Sequence, residues 1–240
     1  MVEDKSKNLV GLSGVEAQNH TVANHPAGSG EVQKALDLYG DIYCQRRKGW
    51  GQNPKTTDWI ETYTNKRFYP LEPDMELICI EDIAHALAHI CRFNGHTKRF
   101  YSVGEHSLSC LGLARRMGLS YTDRLAALMH DASEAYLPDI PRPIKRAMHA
   151  YSAWEHTLQQ MICRKWEIPY PFPDVIHKID DIMLATERRD LFISPNHWPS
   201  LTADPSYDIN VESGYNMDPE TVKQSFINEF YSLRKVLRKA

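Results

Sequence analysis

The sequence predicts an all-α fold. Three observations carry that expectation. The regular elements that can be placed after Ile80 repeat their apolar residues with the period of a helix. Those runs open on capping signals and close on glycine or proline. No internal repeat is present that would turn the helices into a solenoid.

The chain is 240 residues long, enough for one large domain or two small ones. With 42% hydrophobic and 25% charged residues, its composition is that of an ordinary globular protein. A net charge of −3 gives no overall basic bias, so no nucleic-acid partner is expected. No apolar run approaches the roughly 20 residues that cross a bilayer, and the N-terminus has no apolar signal core, so neither membrane nor secretion is expected. Cys44, Cys79, Cys91, Cys110 and Cys163 are odd in number and form no CxxC pair. That usage fits the reduced thiols of a cytoplasmic protein better than a disulfide framework.

Residues 1–30 are polar and end in Gly28-Ser29-Gly30, which reads as a flexible N-terminal tail with His20 and His25 in solvent. Glu31–Tyr39 suits a short helix ended by Gly40. From Asp41 to Pro73 the chain is aromatic and irregular, with room for a short hairpin around Thr64-Asn65-Lys66. Ile80–Phe93 reads as a helix with an acidic first turn, and Asn94-Gly95 ends it. Ser102 and Glu105 match a capping box, so the next helix starts at Val103 and closes at Gly118. Thr122 is the expected cap of the helix that carries His130 and Asp131. Ile144–Trp166 has heptad-like apolar spacing, and Pro169, Pro171 and Pro173 separate it from a helix over Asp174–Ile193. Residues 194–217 read as a long loop, and Asp218-Pro219-Glu220 opens a terminal helix. Residues 31–240 are therefore expected to form a single domain.

Ionisable residues interrupt this pattern where core is expected. His130, Asp131 and Glu134 follow the apolar run Leu125–Met129, and Asp139 lies in the proline-rich turn beyond. Asp180 falls inside the apolar face of its own helix, while Asp181 is turned towards solvent. Buried charge is costly unless compensated, and a metal ion is a common compensation. His106, His130, Asp131 and Asp180 together offer imidazole and carboxylate ligands from three helices. Such a set suits one divalent ion, Mn, Co, Fe, Mg or Zn. Glu134 stands near enough in sequence to His130 to move a proton, and Arg92 could hold a phosphate with its planar fork. These are the parts of phosphoester hydrolysis.

The order H…HD…D resembles the HD superfamily of metal-dependent phosphohydrolases. His106 lies in GEHSLS, His130-Asp131 in MHDASEAYLPDIPRPIK and Asp180 in HKIDDIMLATE. More narrowly, these blocks are similar to the 5′-deoxynucleotidase branch and its phage- and prophage-encoded relatives, over about residues 74–192. The resemblance implies an HD-domain helical bundle behind an irregular N-terminal extension, with the metal on His106, His130, Asp131 and Asp180. It implies that Glu134 is the catalytic acid, with Asp131 both ligand and catalytic residue. Asp139 would contact the sugar, and Arg92 the phosphate. Phe93 stands where the family has tryptophan. His96, Lys98 and Arg99 would lie near the phosphate end, and Lys145 ends the conserved block on the substrate side.

The expected activity is hydrolysis of (deoxy)nucleoside 5′-monophosphates to nucleoside and phosphate. The alternatives are a (d)NTP or other nucleotide phosphohydrolase, including a pyrophosphohydrolase, and a nucleotide-binding module without turnover. The expected partners are a nucleotide substrate and further copies of the chain, as a dimer or higher homo-oligomer.

Overall fold

In a computed structural model, residues 59–194, 196–214 and 218–239 are described. The tail over 1–30, the helix expected at Glu31–Tyr39 and Trp50 lie outside them. The fold is all-α, with a hairpin at its N-terminal side. Strands β1 (Ile60–Glu61) and β2 (Arg67–Phe68) pair antiparallel. Asn65 turns the hairpin at φ 61°. Asp82 fixes it by accepting from the Thr64 amide at 2.7 Å and the Thr64 hydroxyl at 2.9 Å.

Helix α1 spans Ile80–His89, four residues shorter than the sequence suggests. Phe93 (φ 55°), Asn94 (φ 50°) and Gly95 (φ 76°) adopt left-handed backbone that a helix cannot continue through. Cys91 instead bridges to Ser102, so Arg92 sits on a pinned turn rather than at a helix end. Helix α2 (Val103–Arg116) starts where expected: Ser102 Oγ accepts from the Glu105 amide, and the Glu105 carboxylate accepts from the Ser102 amide.

Helix α3 spans Tyr121–Met129, and its cap is Ser120 rather than Thr122. It stops just before the ionisable residues. His130 is its C-cap, Asp131 lies in bridge-region backbone (φ −102°, ψ 16°), and Ala132–Ala135 is a 3-10 turn. The buried Gln159 ties this junction down: its Oε1 accepts from the Ser133 amide and its Nε2 donates to the Met129 carbonyl, both at 2.9 Å. The helix expected over Ile144–Trp166 is divided into α4 (Arg142–Lys145) and α5 (His149–Lys165), because Met148 leaves helical backbone at ψ 66°. Helix α6 (Asp174–Leu191) ends at the extended Phe192, and α7 (Val211–Gly214) lies within the expected loop. Helix α8 (Pro219–Leu237) is capped by Asp218 with proline in its first turn.

Helix α2 is the centre of the bundle, touching α1, α3, α6 and α8. Its first turns are buried all round, from Val103 to Ser107. That placement needs a small residue where helices cross. A Cβ on Gly104 would lie 2.7 Å from Val222 Cγ1 and 3.2 Å from the Ala88 backbone nitrogen. Gly104→Val should therefore cost about 2–3 kcal/mol by overpacking, seen as a melting temperature lower by several degrees. An unchanged melt would mean that α1 and α8 can part without loss.

Candidate metal centre

Three helices and one junction bring the ionisable residues together. His106 lies in the buried first turns of α2, His130 and Asp131 at the end of α3, and Asp180 in the middle of α6. His106 Nε2 is 3.2 Å from His130 Nε2 and 3.2 Å from Asp180 Oδ1. Asp131 Oδ2 is 3.3 Å from His130 Nε2 and 3.6 Å from His106 Nε2. Asp180 Oδ1 is 4.0 Å from His130 Nε2. Ligand atoms about 2.0–2.2 Å from a shared ion lie about 3.0–3.5 Å apart, so these separations are close to those of one coordination shell.

The imidazoles are oriented for the same purpose. His130 Nδ1 faces the Ala127 carbonyl at 2.9 Å, and His106 Nδ1 faces Glu187 Oε1 at 2.5 Å. A ring that donates from Nδ1 keeps the lone pair of Nε2 for a cation, and in both rings Nε2 points into the cluster. The field in the cluster favours positive charge. Burial and Arg92 draw the His106 pKa down, yet Cys110, Glu187 and Asp180 leave it well above the usual value. Burial alone would raise Asp180; hydrogen bonding and charge from His106, with His130 and Arg92, hold it far below the carboxylate range. The His106 side chain is wholly covered, whereas Asp131 and Asp180 keep 20% and 25% exposure, so the cluster opens on its carboxylate side.

Sequence reasoning missed the residue that orients His106. Glu187 is fully buried on α6, two helical turns beyond Asp180 and on the same face. Besides His106 it accepts from the Tyr101 hydroxyl at 2.9 Å, and its Oε2 is 3.3 Å from Arg92 Nε. The seven-residue interval from Asp180 was the available signal. Glu187→Gln should lower metal affinity about ten- to a hundredfold, as loss of such an outer carboxylate does, measured by competition with a chelator. Unchanged affinity would reduce Glu187 to a packing residue.

Cys110 was also missed as a neighbour of the site. One turn after His106, its Sγ lies 3.5 Å from His106 Nε2. His106, Cys110 and His130 form a group whose donor atoms all fall within 4.8 Å and could hold a metal ion. Burial pushes the Cys110 thiol up to about 11, however, so it is a poorer ligand than the ionised carboxylates of Asp131 and Asp180.

Around the cluster, Arg92 NH1 is 3.4 Å from Asp131 Oδ2, and its guanidinium lies 5.3 Å over the Phe93 ring. Phe93 meets Phe192 edge-on, with Trp198 beside them. Glu134 is buried; its Oε1 is 3.7 Å from Lys145 Nζ, and its Oε2 has no hydrogen-bond partner among the described residues. Burial, then Asp131 and Asp139, raise its pKa well above the usual value. Lys145 also holds Glu155 at 2.7 Å. Asp139 is half-buried and is raised by burial, with Arg92 and Lys145 opposing that rise. Arg142, absent from the sequence expectations, grips Asp180 Oδ2 at 2.8 Å and Asp181 Oδ1 at 2.9 Å.

The basic segment after Asn94 is employed elsewhere. Arg99 binds Glu105 at 3.0 Å and the Val211 carbonyl at 2.8 Å, and Lys98 binds the Asp190 carbonyl at 3.0 Å. His96 is exposed, and no contact among the described residues joins its side chain to the cluster. Lys98 and Arg99 thereby tie the 94–101 segment to α2, α6 and α7. No helix among the described residues is long and apolar enough to cross a membrane.

No family model matches the sequence. The chain is 40% identical over 149 residues to the uncharacterized protein YfdR of Escherichia coli (strain K12), which spans 62% of this chain and 81% of that protein. It is 37% identical over 125 residues to an uncharacterized protein of Rhodobacter capsulatus, across 50% of this chain and 64% of that protein.

Proposed function

The chain belongs to the family of YfdR, an uncharacterized protein, and from the geometry of the site we propose that it is an HD-type metal-dependent phosphohydrolase acting on (deoxy)nucleoside 5′-monophosphates. The observation that carries this reading is that Asp131 and Asp180 each lie within 4.0 Å of both imidazole Nε2 atoms, which are themselves 3.2 Å apart. These four residues would hold one divalent ion, Mn, Co, Fe, Mg or Zn, through two imidazole nitrogens and two carboxylate oxygens. Such an ion supplies Lewis acidity, drawing charge from a phosphoryl oxygen and making water acidic enough to attack near neutral pH.

The protein's own residues supply the rest. Glu187 and the Ala127 carbonyl fix the two rings, so the site is assembled before substrate arrives. Arg92, already held between Asp131 and Glu187, presents a fixed guanidinium to a phosphate oxygen. Burial, then Asp131, raises the Glu134 pKa and so favours its acid form, and a proton on Oε2 could pass to the leaving 5′ oxygen. Lys145 stands at Oε1, where it steadies the carboxylate left behind. Asp139 is the residue proposed to meet the sugar, and Phe93 with Phe192 the aromatic wall beside Arg92.

Incubation with mono-, di- and triphosphates of several nucleosides, each with Mn, Co, Mg or Zn, tests the proposal. Release of orthophosphate from monophosphates is expected. Release of pyrophosphate or tripolyphosphate would move the enzyme to the (d)NTP class, and no turnover with metal bound would leave a nucleotide-binding module.

A further inference from the structure

We propose that a second site, a basic cleft sharing no residue with the metal centre, binds a nucleoside polyphosphate. The cleft lies between the hairpin, the start of α1 and the C-terminal ends of α5 and α8. It encloses about 600 Å³, within the range of about 300–1,000 Å³ typical of small-molecule sites. Lys66, Lys165, Arg234, Lys235, Arg238 and Lys239 line it, against two carboxylates, Glu76 and Glu81. A chain of net charge −3 has here gathered cations from three separate parts of its sequence.

What marks the cleft is that six cations gather there against two lining carboxylates. Elsewhere single cations are matched by carboxylates, as in Arg115–Glu229, Arg142–Asp181 and Lys145–Glu155, or held one at a time by carbonyls, as Arg116 is by Asp208 and Arg188 by Asn196. In the cleft, Lys165 Nζ is held by the Met75 carbonyl at 2.7 Å, and Lys66 Nζ by the Leu77 carbonyl at 3.4 Å. Arg234 donates to the Trp166 carbonyl at 2.5 Å, and among the described residues its ion pair is with Glu167, long at 3.4 Å and with the glutamate largely exposed. Carbonyls fix the position of a cation without cancelling its charge. Among the described residues, Lys235, Arg238 and Lys239 have no carboxylate within ion-pair distance.

The helix dipole explains basic residues in the last turn of α8, but not Lys66 or Lys165, which arrive from β2 and α5. Grouped cations beside low-dielectric walls focus potential on the cleft, which selects several phosphates over one. Trp166 and Tyr231 supply flat apolar surface at its edge, where a base can lie. A cleft of about 600 Å³ suits one small molecule rather than a continuous strand.

The test uses the full chain carrying His130→Ala, with EDTA present, so that the metal centre is out of play and this proposal stands or falls apart from the one above. Calorimetric titration with ATP should show one saturable site. Lys235→Glu with Arg238→Glu should weaken it about ten- to a hundredfold, the effect of losing charge-assisted hydrogen bonds, with an unchanged melting temperature. The milder Lys235→Gln with Arg238→Gln should fall between, which separates loss of charge from loss of fold. Inorganic tripolyphosphate should bind more weakly than ATP; equal affinity would overturn the nucleoside part. No saturable binding, or equal binding by the charge-reversed variant, would overturn the site. A single-stranded oligonucleotide binding more tightly than ATP would overturn it in favour of a nucleic-acid track.

Discussion

Asp131→Ala loses metal and hydrolysis together, with activity down by about a thousandfold or more. The Lewis-acid contribution at stake is worth several kcal/mol, and about 4 kcal/mol corresponds to about a thousandfold in rate. Asp131 is the residue through which this loss should be greatest. Its Oδ2 lies within 3.6 Å of both imidazole Nε2 atoms and within 3.4 Å of Arg92, so on the proposed reading one carboxylate would serve both the cation and the residue offered to phosphate. The fold should survive, because Arg92 keeps Glu187 as a partner. Metal content of the purified variant, read beside phosphate release and a melting curve, checks this. A variant that stays active without metal would remove the site altogether.

Glu134→Gln separates chemistry from binding. The amide is isosteric with the carboxyl and leaves His106, His130, Asp131 and Asp180 untouched, so metal and substrate affinity should persist. Turnover should fall about a hundred- to ten-thousandfold, the range for removing a general acid. The geometry fits this role: Oε1 sits 3.7 Å from Lys145, while Oε2 is buried without a hydrogen-bond partner among the described residues. A buried polar atom without a partner is expensive unless something else, here a leaving oxygen, completes it. Single-turnover phosphate release with a binding titration gives both quantities. If kcat holds and only KM rises, Glu134 is a binding residue and the acid must be sought elsewhere.

Local signals were legible wherever the cause was local. The Ser102–Glu105 box and the Asp218–Pro219 start lie within one helical turn of the bonds they make, and both are present as read. Where two caps competed, Ser120 took the place expected for Thr122. Helix ends were harder to read. Ile80–Phe93 looked continuous because periodicity is blind to the left-handed turn at Phe93–Gly95, which the bridge between Cys91 and Ser102 imposes from the far end of a loop. The division between α4 and α5 has the same character.

The sequence by itself determined the residue types: two histidines and two aspartates set where apolar pattern called for core, and a glutamate close behind. It also determined the all-α class, since both follow from spacing along the chain. Only the tertiary structure decided that the four side chains face one point, that Glu187 and Gln159 hold them there, and that Lys98 and Arg99 are spent on other partners. The reason is range. Helix period and capping act over three to seven residues, whereas His106 meets Glu187 across 81 positions and Ser133 meets Gln159 across 26. Contacts at that distance are fixed by how the helices pack, and no local pattern encodes them.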